Sequence, residues 1–320
     1  MKKTKLIFTS FMITILLSAC ASTPEAAENN DKSPALKTTQ KQVVQVQKTP
    51  EELFLESLEG ISIKSVSAPK EITKGRNFNA PFVFSAAKAD GTPAEGLKLT
   101  VSYPSDNTEG NITYSKIEME ADADGKITFT PEQPSFAANT LVSVYPTPVS
   151  EDAELAEKLS QYTTTAAWKV KSDIASKGAV LFIWDFNEKD RPQNNSNNIQ
   201  AEFRSRGITM VGNGPVNETS YIGKIKQLYK ETYDIIGGTQ FGYLLYGTVK
   251  FEQPVTALED GSGYYCILKA EIEALNMKSG AKVYSSVIKY ESKGKNWNEC
   301  VSKGKDKLSE LVVDDIMYGL

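Results

Sequence analysis

The chain has 320 residues, with 36 Lys+Arg, 40 Asp+Glu, three Cys and no His. Without imidazole there is no Ser-His-Asp or Cys-His nucleophile pair, no histidine metal site and no usual general base near neutral pH, so any catalysis would rest on carboxylates or Lys. Composition is that of a soluble globular protein, 40% hydrophobic and 24% charged, and the length suits about two domains.

The chain opens with Lys2, Lys3 and Lys5, followed by an almost purely apolar run from Leu6 to Leu17. That run is too short to span a bilayer as a mature helix and has the length of an export signal. It ends in Leu17-Ser18-Ala19-Cys20, which resembles the lipobox of bacterial lipoproteins. The resemblance implies a signal peptide over residues 1–19, cleavage before Cys20, and lipidation of Cys20 by palmitate-type acyl chains on sulfur and on the new amine. Ala21, in the place where Asp would stand in the alternative, resembles the outer-membrane sorting default, with the protein facing the periplasm.

Loss of the three leader lysines leaves 33 basic against 40 acidic residues. The imbalance is local: 15 basic and 22 acidic residues lie between Cys20 and Asp173, and 18 of each between Ile174 and Leu320. Neither part offers the basic footprint that nucleic acid or anionic lipid requires. Contact with the membrane is expected only through the lipid on Cys20.

Residues 20–52 carry no aromatic side chain and are rich in Ala, Thr, Glu, Asn, Lys and Gln, the composition of a flexible tether. Such a tether spans roughly 30 Å end to end. The short patch Val43-Val44-Gln45-Val46 is read as tether and not as a strand. Pro50 to Leu55 predicts a brief helical turn that leads into a domain over residues 53–173.

In that domain, alternation over Ile61–Val66 and Leu97–Tyr103 predicts strands, joined by further candidates at Phe82–Phe84, Ile112–Ile117, Lys126–Phe129, Leu141–Tyr145 and Thr164–Val170. Asp90-Gly91, Pro104-Ser105-Asp106, Asp124-Gly125 and Pro146 supply the breaks. Strands at this density indicate an all-β sandwich, and Ala121 to Phe129 resembles a hairpin of bacterial immunoglobulin-like domains. Glu151 to Tyr162 predicts a short inserted helix.

From residue 174 to 320 the pattern changes to α/β. Ala179 to Phe186 is a nearly continuous apolar run, as expected for a strand covered on both faces. A polar loop, Asp190 to Asn198, and a short helix to Ser205 follow, then a strand at Ile208–Val211. Thr219 is expected to cap a helix that Gly237 ends. Strands at Phe241–Phe251, Tyr264–Leu275 and Ala281–Tyr290 precede a last helix starting at Asn296 or Asn298. The predicted order is β-α-β-α-β-β-β-α with a mixed sheet, and the chain as a whole is α+β.

The strand Tyr243-Leu244-Leu245-Tyr246-Gly247-Thr248-Val249, the turn Asn276 to Ser285 and the closing helix Cys300 to Ile316 together resemble a periplasmic α/β domain of envelope-assembly proteins. That group includes the outer-membrane lipoprotein activators of penicillin-binding proteins, the curli secretion channel subunit, the amino-terminal domain of TolB and LPP20-type flagellar-associated lipoproteins. Asn276, Ser279 and Tyr284 stand where the group carries an acidic residue, Thr and Trp. The resemblance implies protein–protein assembly and carries over no catalytic residue. A curli-type pore is excluded, because the segments Asn187–Asn198 and Glu252–Gly263 are short, polar and broken by Pro or Gly.

Candidate sites follow from residue type. Cys266 lies on the apolar face of its strand, and Cys300 on the helix face turned to the sheet, so the thiols can meet; a disulfide and two separate buried thiols both remain open. Asp185, Glu188 and Asp190 cluster where open α/β sheets bind ligands, and a solvated loop start is the simpler reading. Asp122 to Gly125 reads as a turn, since the twelfth position of a calcium loop falls on Gln133. Gly212 to Pro215 reads as a connector. Arg191, Gln193, Asn194 and Asn195 are the candidate partner contacts, on a polar loop leaving a rigid strand. Tyr221, Tyr229, Tyr233, Tyr264, Tyr265 and Tyr290 are secondary anchor candidates.

The expected function is that of a lipid-anchored, non-enzymatic interaction or assembly factor of the cell envelope, serving a cell-wall synthase or a flagellar or secretion assembly. No cofactor, metal or small-molecule substrate is expected. A surface-exposed adhesin or ligand-binding lipoprotein is the alternative, and a carboxylate-based hydrolase the third reading.

Overall fold

The computed structural model describes residues 48–320 apart from 109, 216–218 and 237–239. The leader, the lipidation site Cys20, the patch Val43–Val46 and the helix stop Gly237 lie outside the described residues.

Helix α1 (Pro50–Ser57) starts where the sequence predicts, because Thr49 and Glu52 form a reciprocal capping box and Pro50 occupies the first turn. Its end packs through Leu58 against Leu155 and Leu159 of α2 (Ala153–Leu159). Between these helices run β1 (Ser62–Ser67), β2 (Ile72–Thr73), β3 (Phe82–Ala87), β4 (Lys98–Thr108), β5 (Asn111–Glu120), β6 (Lys126–Phe129) and β7 (Ala138–Pro146), with β8 (Thr164–Lys171) after α2. They make a three-stranded sheet, β1-β3-β6, and a five-stranded sheet, β2-β8-β7-β4-β5. Inward residues of both sheets share one core, with Phe82, Phe84, Leu99, Val101 and Trp168 fully buried. Trp168 stacks on Phe82 and takes the edge of Phe78.

One predicted break is not a break. Pro104 and Asp106 lie inside β4, where the pairing with β5 shifts register between them. A bulge tolerates Pro within a strand, so the turn signal marks an irregularity and not the strand's end.

The rest of the chain builds the third sheet. A single turn, α3 (Ile174–Lys177), leads into β9 (Ala179–Phe186), followed by β10 (Pro192–Asn195), α4 (Asn197–Ser205), β11 (Val211–Asn213), α5 (Ile225–Ile236), β12 (Tyr243–Ala257), β13 (Tyr264–Asn276), β14 (Lys282–Gly294) and α6 (Trp297–Gly319). Strand order is β10-β9-β12-β13-β14, with β11 also on β9. Parallel β9–β12 and β9–β11 pairs beside antiparallel β12–β13–β14 make the sheet mixed, and helices with mixed and antiparallel sheets make the chain α+β.

The order differs from expectation in two places. Pro192–Asn195 pairs antiparallel with the end of β9 instead of forming a free loop. Asn187 makes the reversal tight: its side chain accepts from Lys189 and Arg191 N–H, and its own N–H donates to the Arg191 carbonyl. The helix expected from Thr219 is split. Thr219–Tyr221 is a single tight turn, and Gly223, with φ of 81°, separates it from α5.

Strand β9 is buried on both faces, as its apolar run predicts. Leu181 and Ile183 face α4 and α6 together with Leu245, Leu268 and Ile272. Phe182 and Trp184 face α5 with Leu228, Leu244 and Tyr246. Arg206 ties α4 to α6 through Glu202, Asp314 and the Glu310 carbonyl. Gly247 explains the glycine of the Tyr-Leu-Leu-Tyr-Gly run: a Cβ there would sit 2.2 Å from the Glu271 carbonyl oxygen on β13.

Residues 48–320 form one compact unit. The β8–α3 junction is held against the end of α6: Ser172 N–H donates to the Met317 carbonyl, and Lys74 Nζ donates to the Leu320 carbonyl at 2.8 Å. Asp173, on the same junction, accepts from the Tyr243 hydroxyl and pairs with Lys177 at 2.6 Å and Lys74 at 3.5 Å. Burial alone would raise the Asp173 carboxyl, but the hydrogen bonds from Lys177 and Tyr243 and the Lys74 charge hold it below the ordinary range. Desolvation pushes the Lys74 ammonium down even beside Asp173, so the favourable balance of this cluster lies with the carboxylate.

Three outcomes are expected. Gly247→Ala should cost about 2–3 kcal/mol, since the backbone of β13 must move. Gly212→Ala, which meets open space, should leave the melting temperature nearly unchanged; equal melting of the two variants would contradict the close-approach argument. Asp173 has a depressed folded pKa, so its contribution is complete above the ordinary carboxylate pKa and is lost as pH falls through the folded value. Asp173→Asn should therefore melt lower than the parent at pH 7, with the gap closing as pH falls below the ordinary carboxylate range.

Candidate functional site

Covering of the mixed sheet is unequal. On one face α4 and α6 close over a continuous core. On the other, α5 covers β9, the start of β12 and Leu275 at the end of β13, and the remaining outward residues of β13 and β14 lie beyond its packing. That open half-face carries Thr248 and Lys250 of β12, Lys269, Glu271 and Glu273 of β13, and Ser285, Val287 and Lys289 of β14, with Val287 60% exposed. A groove of about 440 Å³ runs between this surface and Ile222-Gly223, floored by Thr248, Glu271 and Ser285.

Register produces a feature that no local motif announces. Lys250 pairs opposite Lys269, and Lys269 opposite Lys289, so three lysines form one row across three strands. Like charges directly opposite one another destabilise a sheet. Here each lysine has its own carboxylate: Lys250 with Asp190 at 2.9 Å, Lys269 with Glu271 at 2.7 Å and Lys289 with Glu252 at 2.6 Å. The Glu271 hydrogen bond raises Lys269 above its ordinary value. Lys250 also sits 4.1 Å above the Phe186 ring.

The Asp190–Lys250 pair joins this face to the hairpin nominated by sequence. Arg191 and Gln193 are exposed on that hairpin, and the backbone of Asn194 and Asn195 belongs to the edge strand β10. Asp190 is held at φ 52°, a left-handed conformation at the hairpin tip. The segment is thus a tight hairpin in place of the expected mobile loop.

The carboxylates singled out earlier do not converge. Asp185 pairs with Lys305 of α6 at 2.9 Å, and Glu188 accepts from Val255 N–H at 2.8 Å. Asp122 closes its own turn by accepting from Asp124 and Lys126 N–H. Among the described residues, no group of three or more His, Cys, Asp or Glu is placed to hold a metal ion. Of the nominated tyrosines, Tyr221 is buried and bonded to Glu231, and Tyr229 donates to the Met277 carbonyl. Tyr264 and Tyr290 pack on the α6 core, while Tyr233 is exposed. Cys266 and Cys300 do meet: both are fully buried, unbonded, and 3.5 Å apart at sulfur.

Fold and surface define the class: an α/β domain with one closed and one partly open sheet face, behind a lipoprotein-like leader. The family model described as "TP0693-like lipoprotein, C-terminal domain" matches residues 178–317. That description agrees with the expectation of a bacterial lipoprotein drawn from Leu17 to Cys20. No curated protein matches the chain. Similar solved structures include the PelC dodecamer from Paraburkholderia phytofirmans, at 17% identity over 43% of this chain and 86% of that one, TM-score 0.29. Lipoprotein GNA1162 from Neisseria meningitidis is 16% identical over 43% of this chain and 96% of its own, TM-score 0.27. The hypothetical protein CT253 from Chlamydia trachomatis is 12% identical over 44% and 95%, TM-score 0.29. At these values no functional inference is carried by the structures. No helix among the described residues is long and apolar enough to cross a membrane.

Proposed function

We propose that the protein is a lipid-anchored assembly factor of the bacterial envelope, held in the outer membrane through Cys20 and facing the periplasm. In this reading the tether and an immunoglobulin-like pair of sheets hold the α/β domain away from the bilayer. The open half-face of that domain, with the β9–β10 hairpin, binds another envelope protein. The single observation that carries the anchored reading is the lipobox Leu17-Ser18-Ala19-Cys20 on a chain whose residues 178–317 match a lipoprotein family.

The surface supports a protein partner over a polyanion. Each lysine of the central row already carries a carboxylate, so the face offers alternating charge around Val287 and no basic field. The hydrolase reading built on Asp185 and Glu188 loses its support, because Asp185 is paired with Lys305 and Glu188 is engaged by the Val255 N–H.

A photo-crosslinking residue at Val287 or Gln193 should capture a single envelope protein in cells, whereas one at Lys88, exposed on the opposite part of the chain, should not. Equal labelling from all three positions, or none from the first two, would count against the surface. Cys20→Ala should move the protein from the detergent phase to the aqueous phase of a phase partition. Detergent-phase recovery of that variant would remove the lipid anchor from the proposal.

A further inference from the structure

Cys266 and Cys300 occupy facing positions on β13 and the first turn of α6. Both are fully buried, and their sulfurs lie 3.5 Å apart, van der Waals contact for two thiols. One neighbour, Ser292, holds them there. Ser292 is the direct cross-strand partner of Cys266 on β14, and its hydroxyl donates to the Cys300 carbonyl at 2.6 Å. The Cys300 thiol in turn points at the Ser292 carbonyl, 3.5 Å away. The same serine therefore fixes Cys300 above Cys266.

Two glycines allow the helix to come this close. A Cβ on Gly294, at the end of β14, would lie 2.3 Å from the Cys300 nitrogen. A Cβ on Gly304, one turn beyond Cys300, would lie 2.9 Å from Leu268 and 3.0 Å from the Ser292 side chain. The first turn of α6 is seated on the sheet with no room to spare. Closing from 3.5 Å to a bond of about 2.05 Å takes a sulfur displacement of about 1.5 Å.

We propose that Cys266 and Cys300 are joined in the mature protein by a disulfide that staples α6 to β13. The proposal rests on the envelope reading above, because an exported chain folds in an oxidising compartment. The Cys266 and Cys300 thiols give up two protons and two electrons as the S–S bond forms. The electrons pass, through a mixed disulfide, to the S–S bond of a thiol–disulfide oxidoreductase, which leaves as a dithiol. Timing follows from burial. In the folded domain neither sulfur is reachable, and burial beside a second thiol pushes the Cys266 thiol up to about 12, so little thiolate is present. Exchange therefore takes place before α6 docks, and the docked helix afterwards shields the bond from reductant.

The test uses the full chain recovered from the cell envelope, acid-quenched, denatured without reductant and alkylated, then reduced and alkylated with a second reagent. Peptides are read by mass spectrometry, so Cys20 is scored separately. Cys266 and Cys300 should escape the first reagent, take the second, and appear as one linked peptide in an unreduced digest. First-reagent label on both, in protein whose leader has been removed, overturns the disulfide and leaves the envelope reading intact. Protein that keeps its leader and stays in the cytoplasm fails the envelope reading instead; the disulfide is then judged by refolding the reduced chain in glutathione disulfide, where free Cys266 and Cys300 would sink it. As a second readout, strong reductant during unfolding should lower the parent melting temperature by roughly 10 °C and leave Cys266→Ala/Cys300→Ala unmoved. The same shift in both proteins, or none in the parent, also overturns the staple.

Discussion

A strand with apolar residues on both sides must be covered twice, and β9 sets that demand for the α/β part of the chain. Its eight residues are nearly all buried, alternate ones belonging to different cores. Burying such side chains is worth roughly 1.5–3 kcal/mol each, which makes exposure of either face prohibitive. The long helix α6, with α4 clamped to it by Arg206, answers for one side across several strands. The 12-residue α5 answers for the other over β9, the start of β12 and the end of β13. The open half-face follows from that difference in helix length. Beyond the reach of α5, strands β13 and β14 carry the outward alternation of charge and hydroxyl that water requires.

What the sequence conveyed depends on whether a feature is local. The run Ala179–Phe186 is legible because double burial removes alternation, and α1 is legible because Thr49, Pro50 and Glu52 encode their own cap. The bulge at Pro104 resembles a turn in sequence because Pro signals the loss of a ladder donor without saying whether the strand resumes. The apolar spacing from Thr219 continues across Gly223 and so hides the break there. The polar stretch after β9 has the composition of a loop. Its pairing depends on Asn187 folding the backbone over itself, a conformational event that composition does not reveal.

The candidate surface was legible only at one corner. Arg191 and Gln193 were reachable from composition and position, but Lys250, Lys269 and Lys289 come together through register alone. In sequence they are separated by a bulged strand, two turns and nothing that marks them as a set. The cysteine pair was the opposite case. Period-two and helical spacing put both thiols on inward faces, and only the distance was left to learn.

The mixed sheet also ends, on the side away from β9, in a 13-residue strand that pairs with β13 alone among the described residues. A flat, apolar border of that length would invite a neighbouring chain to continue the ladder. Strand β14 is not such a border. Lys282, Lys289, Glu291 and Lys293 break its outward side, and the other side is committed to α6 through Tyr284, whose hydroxyl is held by Asp315. A second molecule approaching edge-on would have to desolvate those charges before gaining a single backbone hydrogen bond. The border is thereby guarded against fibre-like, edge-to-edge growth.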